Sequence, residues 1–236
     1  VVFVMLMGCA SPADEGSDAI RVMTYNIEDV RTADLQNPEN PRLQKAAAVI
    51  QHLRPDILLV NEMTYDMPDA PNVPSGAASG QNGQRFVDHF LLTAQADSLA
   101  PIRYEPFMAP VNTGLASGFD LNNDGDTVTA YPDTALPQPS GAPVPQTPEG
   151  RAYGNDAWGF GVFPGQYGMA LFVRDGLTIL RDSVRTFRLF RWSAMPNALR
   201  PMNPETDEPW YSDAEWARMR LSSKSHWDVP IRLPDG

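Results

Sequence analysis

Apolar and polar residues alternate along residues 20–27, near the start of the chain. An extended segment would carry two sets of side chains on opposite faces: Val22, Thr24 and Asn26 on one, and Met23, Tyr25 and Ile27 on the other. A period of two residues is typical of a β-strand. The pattern therefore predicts a first strand, with Asn26 close to its end.

The next pattern has the spacing of a helix. Five apolar residues recur three or four positions apart or side by side: Leu43, Ala46, Ala47, Ile50 and Leu53. Asn40 is a good N-cap and Pro41 suits the first helical position, whereas Pro55 disfavours helical geometry in the residue before it. We therefore expect one helix that begins at Pro41 and ends by Arg54.

A continuous apolar run at residues 57–60 (ILLV) follows this helix. Such a run predicts a strand that is buried on both faces. Two strands joined by one helix form a right-handed crossover and run parallel. Asn26 and Glu62 should then lie near the carboxyl ends of neighbouring strands, the edge at which open α/β sheets bind ligands.

The rest of the chain alternates between weaker elements and irregular segments. Helices are predicted over 85–99 and 213–221, and strands over 166–173, 177–190 and 227–233. Segments rich in Pro and Gly predict insertions at about 64–83, 106–165 and 195–209. Residues 234–236 (PDG) form a hairpin turn signal that no second strand follows. We therefore expect residues 20–236 to be the N-terminal part of one domain that is incomplete at its C-terminus.

Composition and charge narrow the classes of protein. The 236 residues are 42% hydrophobic, which is enough for one domain with a core. The formal net charge of −11 argues against a protein that coats nucleic acid, because such a protein needs a basic surface. A nuclease stays possible, since bound metal ions reverse the charge of an acidic cleft locally. The sequence has no GxGxxG, Walker, GxSxG, HExxH or CxxC motif, which removes the enzyme classes that depend on them.

The single cysteine, Cys9, follows a short apolar run at residues 1–6. Residues 6–9 (LMGC) resemble a bacterial lipobox, and polar residues follow them. We interpret residues 1–19 as a signal-peptide remnant and linker, and expect an exported, cell-envelope lipoprotein lipidated at Cys9, or a secreted protein. The lipid anchor would be the only membrane contact, and no protein partner is implied. A buried strand with an inert thiol is the alternative.

Three segments resemble one known family. Residues 23–28 (MTYNIE), 55–63 (PDILLVNEM) and 165–174 (GQYGMALFVR) are similar to core strands of the endonuclease/exonuclease/phosphatase superfamily. The clear likeness covers residues 20–63 and about 165–192. The resemblance implies an α/β fold, a sandwich of two mixed β-sheets flanked by helices. It also implies hydrolysis of phosphoester bonds, in nucleic acid or a small phosphorylated molecule, with Mg²⁺ or Mn²⁺.

The same resemblance assigns candidate site residues. In the family, the asparagine that closes the first strand and the glutamate that closes the second lie at the catalytic metal, and Asn26 and Glu62 occupy those places. Glu28 matches an acidic residue that some members carry near the metal, and it could equally be a surface charge. Asp29, the next residue, is expected to be solvated. The chemistry agrees, because Mg²⁺ keeps several waters and takes only one or two protein carboxylates.

Other family residues have no counterpart in this sequence. The catalytic histidine, an Asp-x-Asn pair and an Asp-His pair of the family lie further along the chain, and His52, His89 and His226 do not match them. We therefore expect this part of the chain to be inactive alone. Three functions stay open: a phosphodiesterase or nuclease, a small-molecule or lipid phosphomonoesterase, and an inactive surface binding protein with the same fold.

An acidic loop is a candidate calcium site. Oxygen-bearing residues occupy alternate positions with a glycine at the sixth, as in the first half of an EF-hand loop: Asp120, Asn122, Asp124 and Asp126. The twelfth position is Tyr131 rather than glutamate. A structural Ca²⁺ that orders the insertion is one interpretation, and an Asx-rich turn is the other. The segment at 153–161, rich in Gly and aromatic residues, is either a lid or packing within the insertion.

Overall fold

A four-stranded mixed sheet forms the centre of the protein, in a computed structural model that describes residues 19–68, 70–133, 138 and 140–234. Its strands lie in the order β1 (Val22–Val30), β2 (Ile57–Met63), β4 (Met169–Arg174) and β3 (Tyr104–Phe107). Strands β1 and β2 are parallel, whereas β4 is antiparallel to both of its neighbours. The predicted parallel strand–helix–strand unit is present, and the class is mixed α/β.

The connecting helix, α2 (Pro41–Leu53), begins and ends as its sequence indicates. The Asn40 side chain accepts hydrogen bonds from the backbone N–H groups of Arg42 (3.1 Å) and Leu43 (3.2 Å), which are unpaired in a first helical turn. Arg54 has φ +47 and ends the helix in a left-handed conformation. Four members of the predicted apolar stripe are buried, but Leu53 is 42% exposed because it lies beyond the edge of the sheet-facing stripe.

The two faces of β2 pack into two separate apolar clusters. Leu58 and Val60 are fully buried on the face covered by α2 and by α3 (Asn82–Phe86) with the π-helical turn after it (Val87–Leu91). Ile57 and Leu59 alternate with them and pack against the second cluster, which includes Ile179 and Trp227. The expectation of two buried faces holds, with the second face only partly covered.

The helix predicted over 85–99 is displaced and shorter, because it begins at Asn82 and its π-helical turn ends at Leu91. Glutamine side chains satisfy the carbonyl groups at its end. Gln51 Nε2 donates to the carbonyls of Leu91 (3.1 Å) and Thr93 (2.7 Å), and Gln95 Nε2 donates to Phe90 (2.7 Å). These bonds replace the backbone bonds of a further helical turn.

The remaining helices are short. They are α1 (Thr32–Gln36), α4 (Pro148–Asn155) and α5 (Asp213–Trp216), with 3₁₀ turns at Arg181–Ser183 and Trp192–Ala194. The predicted helix 213–221 therefore ends four residues after its Ser212 cap. The insertion 106–165 is less irregular than predicted, since it overlaps β3 and contains α4. No helix among the described residues has the length and apolar character to cross a bilayer.

The later strands are also short. Strands β5 (Thr178–Ile179) and β8 (Ile231–Arg232) form one antiparallel pair, and β6 (Arg185–Thr186) and β7 (Trp227–Asp228) form another. The single strands predicted over 177–190 and 227–233 are thus broken into these pieces. Within the described part of the chain there is one mixed sheet and no second one of that kind. Cys9, and residues 235 and 236 of the predicted hairpin turn, lie outside the described residues.

The chain around Gly165 makes a close backbone contact with the segment after β2. Gly165 has φ +85, and an added Cβ would lie 2.1 Å from the Tyr65 carbonyl oxygen. The Tyr65 N–H donates to the Gly165 carbonyl at 2.9 Å. Only glycine combines this conformation with this approach.

We expect Gly165→Ala to lower the free energy of unfolding by at least about 3 kcal/mol, because strain and a backbone collision add. Gly118→Ala is the control, since Gly118 has φ +77 and no atom within 4 Å of its added Cβ. The control should cost only about 1 kcal/mol. Chemical denaturation followed by circular dichroism measures both variants, and equal losses would contradict the close contact.

Candidate functional site

The parallel pairing of β1 and β2 brings Asn26 and Glu62 together. Asn26 is in register with Asn61, and its Nδ2 donates a 2.7 Å hydrogen bond to Glu62 Oε1. Glu62 lies one residue before the end of β2, whereas Asn26 is the fifth of the nine residues of β1 and the last one paired before the register shifts, so β1 continues past the predicted strand end at Ile27. Asn26 is exposed and Glu62 is half-buried, so this edge is open to a ligand.

The end of β1 bulges just after Asn26. The register of β1 with β2 shifts between Asn26 and Val30. Glu28 (φ 56), Asp29 (φ 42) and Glu62 (φ 66) all adopt left-handed backbone conformations, which are uncommon for residues other than glycine. Three such residues in contact indicate strain that the surrounding structure must hold, and strain of this kind clusters at functional sites.

Hydrogen bonds from side chains hold this bulge in place. Asn26 Oδ1 accepts from the Glu28 N–H at 2.9 Å, and Glu62 Oε2 accepts from the Asp29 N–H at 3.2 Å. The Arg42 guanidinium, on α2, donates to the carbonyls of Ile27 and Glu28. The backbone groups that the bulge removes from the sheet are thereby satisfied.

Asp29 supports the bulge from beneath, and it is only 5% exposed. Its Oδ2 accepts from Arg31 Nε (3.1 Å) and Nη2 (2.8 Å), and its Oδ1 accepts from Gln166 Nε2 (2.8 Å). The expectation that Asp29 is solvated is therefore wrong. The buried carboxylate is neutralised by Arg31 and joined to a segment 137 residues away, a relation that local sequence cannot reveal.

A cavity of about 520 Å³ is lined by Glu28, Asp29 and Glu62 and also by Lys224. The Lys224 ammonium donates to the Tyr167 carbonyl and lies 5.9 Å from the centre of the Tyr167 ring. Burial lowers the pKa of Lys224, and the charge of Glu62 opposes that shift. The cavity thus contains carboxylates and one partly desolvated cation.

Two stacked aromatic rings complete the cavity wall. The rings of Phe160 and Tyr167 are 6.4 Å apart at an interplanar angle of 19°. Burial, followed by the charge of Asp29, raises the pKa of Tyr167, so its hydroxyl stays neutral at physiological pH. Phe160 lies at the cavity while Tyr153 is buried, so the segment 153–161 serves both as packing and as part of the wall. Lys224 and Tyr167 were not predicted as site residues, and Phe160 was included only as part of the segment 153–161.

Comparison with known protein families identifies the chain. The model of the endonuclease/exonuclease/phosphatase family matches residues 23–234, which include Asn26, Glu62 and Lys224. The chain belongs to this family. No curated protein and no solved structure matches it. The family resemblance is confirmed, and with it a general class of activity, the hydrolysis of phosphoester bonds.

The histidines of this family member do not face the cavity. His52 is exposed on α2, and His89 is half-buried with Nδ1 2.7 Å from the Leu35 carbonyl oxygen. His226 is exposed and lines a different cavity, of about 410 Å³, beside Ile57 and Leu59. A role for His226 as a general base at Glu62 has no geometric support.

The family generally uses divalent metals such as Mg²⁺. Among the described residues, no group of three or more His, Cys, Asp or Glu is arranged to hold a metal ion. Each oxygen of Glu62 accepts one N–H and keeps a lone pair. One carboxylate beside a roomy polar cavity fits a hydrated Mg²⁺ or Mn²⁺, which keeps most of its waters. It does not fit a site made entirely of protein ligands.

The acidic loop has the hydrogen bonds of an Asx-rich turn. Asp120 accepts from the N–H groups of Asp124 (3.1 Å) and Gly125 (2.8 Å). Hydrogen bonds from Asn122 and then from the Asp126 N–H lower the pKa of Asp124. These carboxylates thus already have partners, and the calcium interpretation stays a prediction.

A buried carboxylate closes the base of this loop. Asp156, 2% exposed, accepts from the N–H groups of Leu121 (2.9 Å) and Val128 (2.8 Å). Leu121 directly follows Asp120 and Val128 lies two residues after Asp126, so Asp156 orders the loop through the protein itself.

We expect Asp156→Asn to speed protease cleavage within residues 106–165, because its amide N–H₂ would face a backbone N–H and leave a buried donor unpaired. Limited proteolysis with Ca²⁺ and with EGTA measures this, and Asp182→Asn, at an exposed aspartate, is the control. The acceleration should be present in both conditions. Cleavage of the variant at the rate of the unchanged protein would contradict the role of Asp156, and EGTA-sensitive cleavage of the unchanged protein would support the calcium loop.

Proposed function

We propose that this protein hydrolyses phosphodiester bonds with Mg²⁺ or Mn²⁺ in the cavity beside Glu62. The observation that carries the proposal is the hydrogen bond from Asn26 to Glu62 beside a strained bulge, because Glu62 lines a cavity that also contains Lys224. Family membership supplies the general reaction. The geometry supports the particular residues and their roles.

Glu62 is the proposed metal ligand, and Glu28 is a second, weaker candidate on the same cavity. When bound, a divalent ion neutralises charge on the phosphate and helps to activate water. Asn26 fixes the orientation of the Glu62 carboxylate without adding negative charge that would repel the phosphate. A pre-oriented carboxylate loses less conformational freedom when it binds an ion.

Lys224 is proposed to bind an anionic oxygen of the substrate. The Lys224 ammonium and the Glu62 carboxylate line the same cavity. Partial burial of the ammonium strengthens its attraction for an anion. The stacked Phe160 and Tyr167 rings would contact an organic group attached to the phosphate. A nucleic acid or a small phosphorylated molecule can supply both parts.

The alternative is a small-molecule or lipid phosphomonoesterase, and two observations favour it. The net charge of −11 is unfavourable for long polyanions, and a volume of about 520 Å³ suits a compact ligand. Under this alternative Glu62, Asn26 and Lys224 keep the same roles. The two functions differ in the number of ester bonds on the phosphate, because a diester keeps a second organic group after cleavage and a monoester releases inorganic phosphate.

Further features of the proposal concern the whole protein. The fold of the whole protein would be a sandwich of two mixed sheets. Lipidation of Cys9 would place the enzyme in the cell envelope. These features remain proposals.

We expect Glu62→Gln to lower metal-dependent hydrolysis by at least about 100-fold, because the amide is a far poorer ligand for a hard cation. The test uses the full-length protein without the proposed signal peptide, and measures turnover of plasmid DNA, a bis-aryl phosphate and an aryl phosphate monoester, with and without Mg²⁺ or Mn²⁺. Glu39→Gln, at an exposed glutamate before α2, is the control and should retain activity. Unchanged turnover in Glu62→Gln would refute the assignment. Turnover on monoesters alone would favour the alternative.

We expect Lys224→Met to raise KM by roughly 10- to 150-fold, because a hydrogen bond to a charged group contributes about 1.5–3 kcal/mol. The metal concentration for half-maximal activity should stay the same, since Lys224 is not a metal ligand. Lys45→Met, at an exposed lysine on α2, is the matched control. A changed metal requirement with an unchanged KM would contradict the proposed role.

A further inference from the structure

Two segments of this acidic chain carry positive charge alone. Residues 184–203 and 216–227 contain seven Lys and Arg residues and no Asp or Glu: Arg185, Arg188, Arg191, Arg200, Arg218, Arg220 and Lys224. The chain as a whole has a net charge of −11. The concentration of positive charge is therefore local and distinct from the rest of the protein.

The two segments pair with each other through their backbones. Leu221 N–H donates to the Phe190 carbonyl at 2.9 Å, and Trp192 N–H donates to the Met219 carbonyl at 3.0 Å. Between these bonds, Arg191 and Arg220 face each other in an antiparallel bridge. Like charges placed directly opposite each other in this way are destabilising.

A third arginine joins this pair. Asn112 Nδ2 donates to the carbonyls of Arg188 (2.7 Å) and Ser222 (2.9 Å), which fixes the backbone on both segments. Burial, followed by the charges of Arg188 and Arg191, lowers the pKa of Arg220. The Arg220 guanidinium is thus close enough to Arg188 and to Arg191 for the like charges to repel it.

The Arg220 side chain is held in place without a counter-charge. Its guanidinium carbon lies 5.2 Å from the centre of the Trp158 ring, and its Nη1 donates to the Leu189 carbonyl at 3.3 Å. Its Nε is buried and has no hydrogen-bond partner. An unpaired buried donor on a cation is costly.

Two other arginines of these segments form ion pairs with aspartates. Arg185 pairs with Asp228, and Arg200 pairs with Asp213 at 2.7 Å. Among the ion pairs of the described residues, none includes Arg188, Arg191 or Arg220. The three lack the carboxylates that their neighbours have.

We propose that Arg188, Arg191 and Arg220 form a binding site for a phosphate-type oxyanion, separate from the cavity that contains Glu62. Guanidinium groups match the geometry of phosphate oxygens and form paired hydrogen bonds to them. A bound oxyanion would be attracted by all three charges, and this attraction would offset their repulsion. This inference does not depend on the proposed enzymatic activity.

Free phosphate and the phosphate of a lipid headgroup share this chemistry. Exposed apolar side chains around the three arginines are the reason to test both sources of phosphate. Residues 187–202 carry six large apolar side chains that are 37–82% exposed: Phe187, Leu189, Phe190, Met195, Leu199 and Met202. Apolar side chains beside arginines are typical of segments that contact the interface of an anionic membrane.

The test compares thermal unfolding in chloride and in inorganic phosphate at the same ionic strength, with EDTA to remove metals. We expect phosphate to raise the Tm of the unchanged protein by roughly 2–4 °C at about five times its dissociation constant. Arg191→Gln should abolish this shift. Its Tm in chloride should equal or exceed that of the unchanged protein, because one of the facing charges is gone.

Arg185→Gln is the matched control, because Arg185 lies close in sequence and is already paired with Asp228. It should keep the full response to phosphate. No phosphate-specific shift in the unchanged protein, or a shift that persists in Arg191→Gln, would overturn the site.

Flotation with phosphatidylglycerol and phosphatidylcholine vesicles identifies the source of the phosphate. Binding to phosphatidylglycerol that is lost in Arg191→Gln would support the site and assign it to a headgroup. A phosphate-induced Tm shift without vesicle binding would support the site and assign it to a soluble phosphate.

Discussion

The hydrogen bond between Asn26 and Glu62 links two neighbouring parallel strands where β1 bulges and β2 ends, and the candidate site depends on it. Parallel pairing sets the two side chains at one edge, and the bulge in β1 then turns Glu28 and Asp29 out of the regular ladder. Without the bulge, the Asp29 N–H would not reach Glu62. The carboxylate is therefore oriented by an amide side chain and by a backbone donor from the same strained turn.

The local part of this arrangement was predictable from sequence. Alternation at residues 20–27, the cap at Asn40 and the apolar run before Glu62 each indicate structure over a few residues. The rule for right-handed crossovers then joins them without further information. Because parallel strands run in the same direction, Asn26 and Glu62 were expected to lie at one edge of the sheet. Sequence likeness supplied their possible chemistry, which spacing alone does not give.

The rest required contacts between distant segments. Lys224 meets Phe160 and Tyr167 at one cavity from a distant part of the chain. The local sequence marks only the segment 153–161, which contains Phe160, and it does not show that this segment meets Lys224. The helix after Asn82 ends early because Gln51, on another helix, occupies its carbonyl groups. Propensity describes a segment in isolation, so tertiary hydrogen bonds of this kind override it. The prediction that Asp29 is solvated was wrong for the same reason. Its charge is balanced by Arg31, and its other oxygen accepts a hydrogen bond from Gln166, far along the chain.

The bond between Asp29 and Gln166 also has a consequence for the order of folding. The first strand–helix–strand unit is local and can form early, but its buried carboxylate lacks one partner until Gln166 has been synthesised and docked. Strand β4, which lies between β2 and β3, comes from the same late part of the chain. Contacts of such long sequence separation close slowly, because loop-closure entropy opposes them. On the ribosome, the edge that carries Glu62 therefore becomes rigid only after most of the chain has emerged.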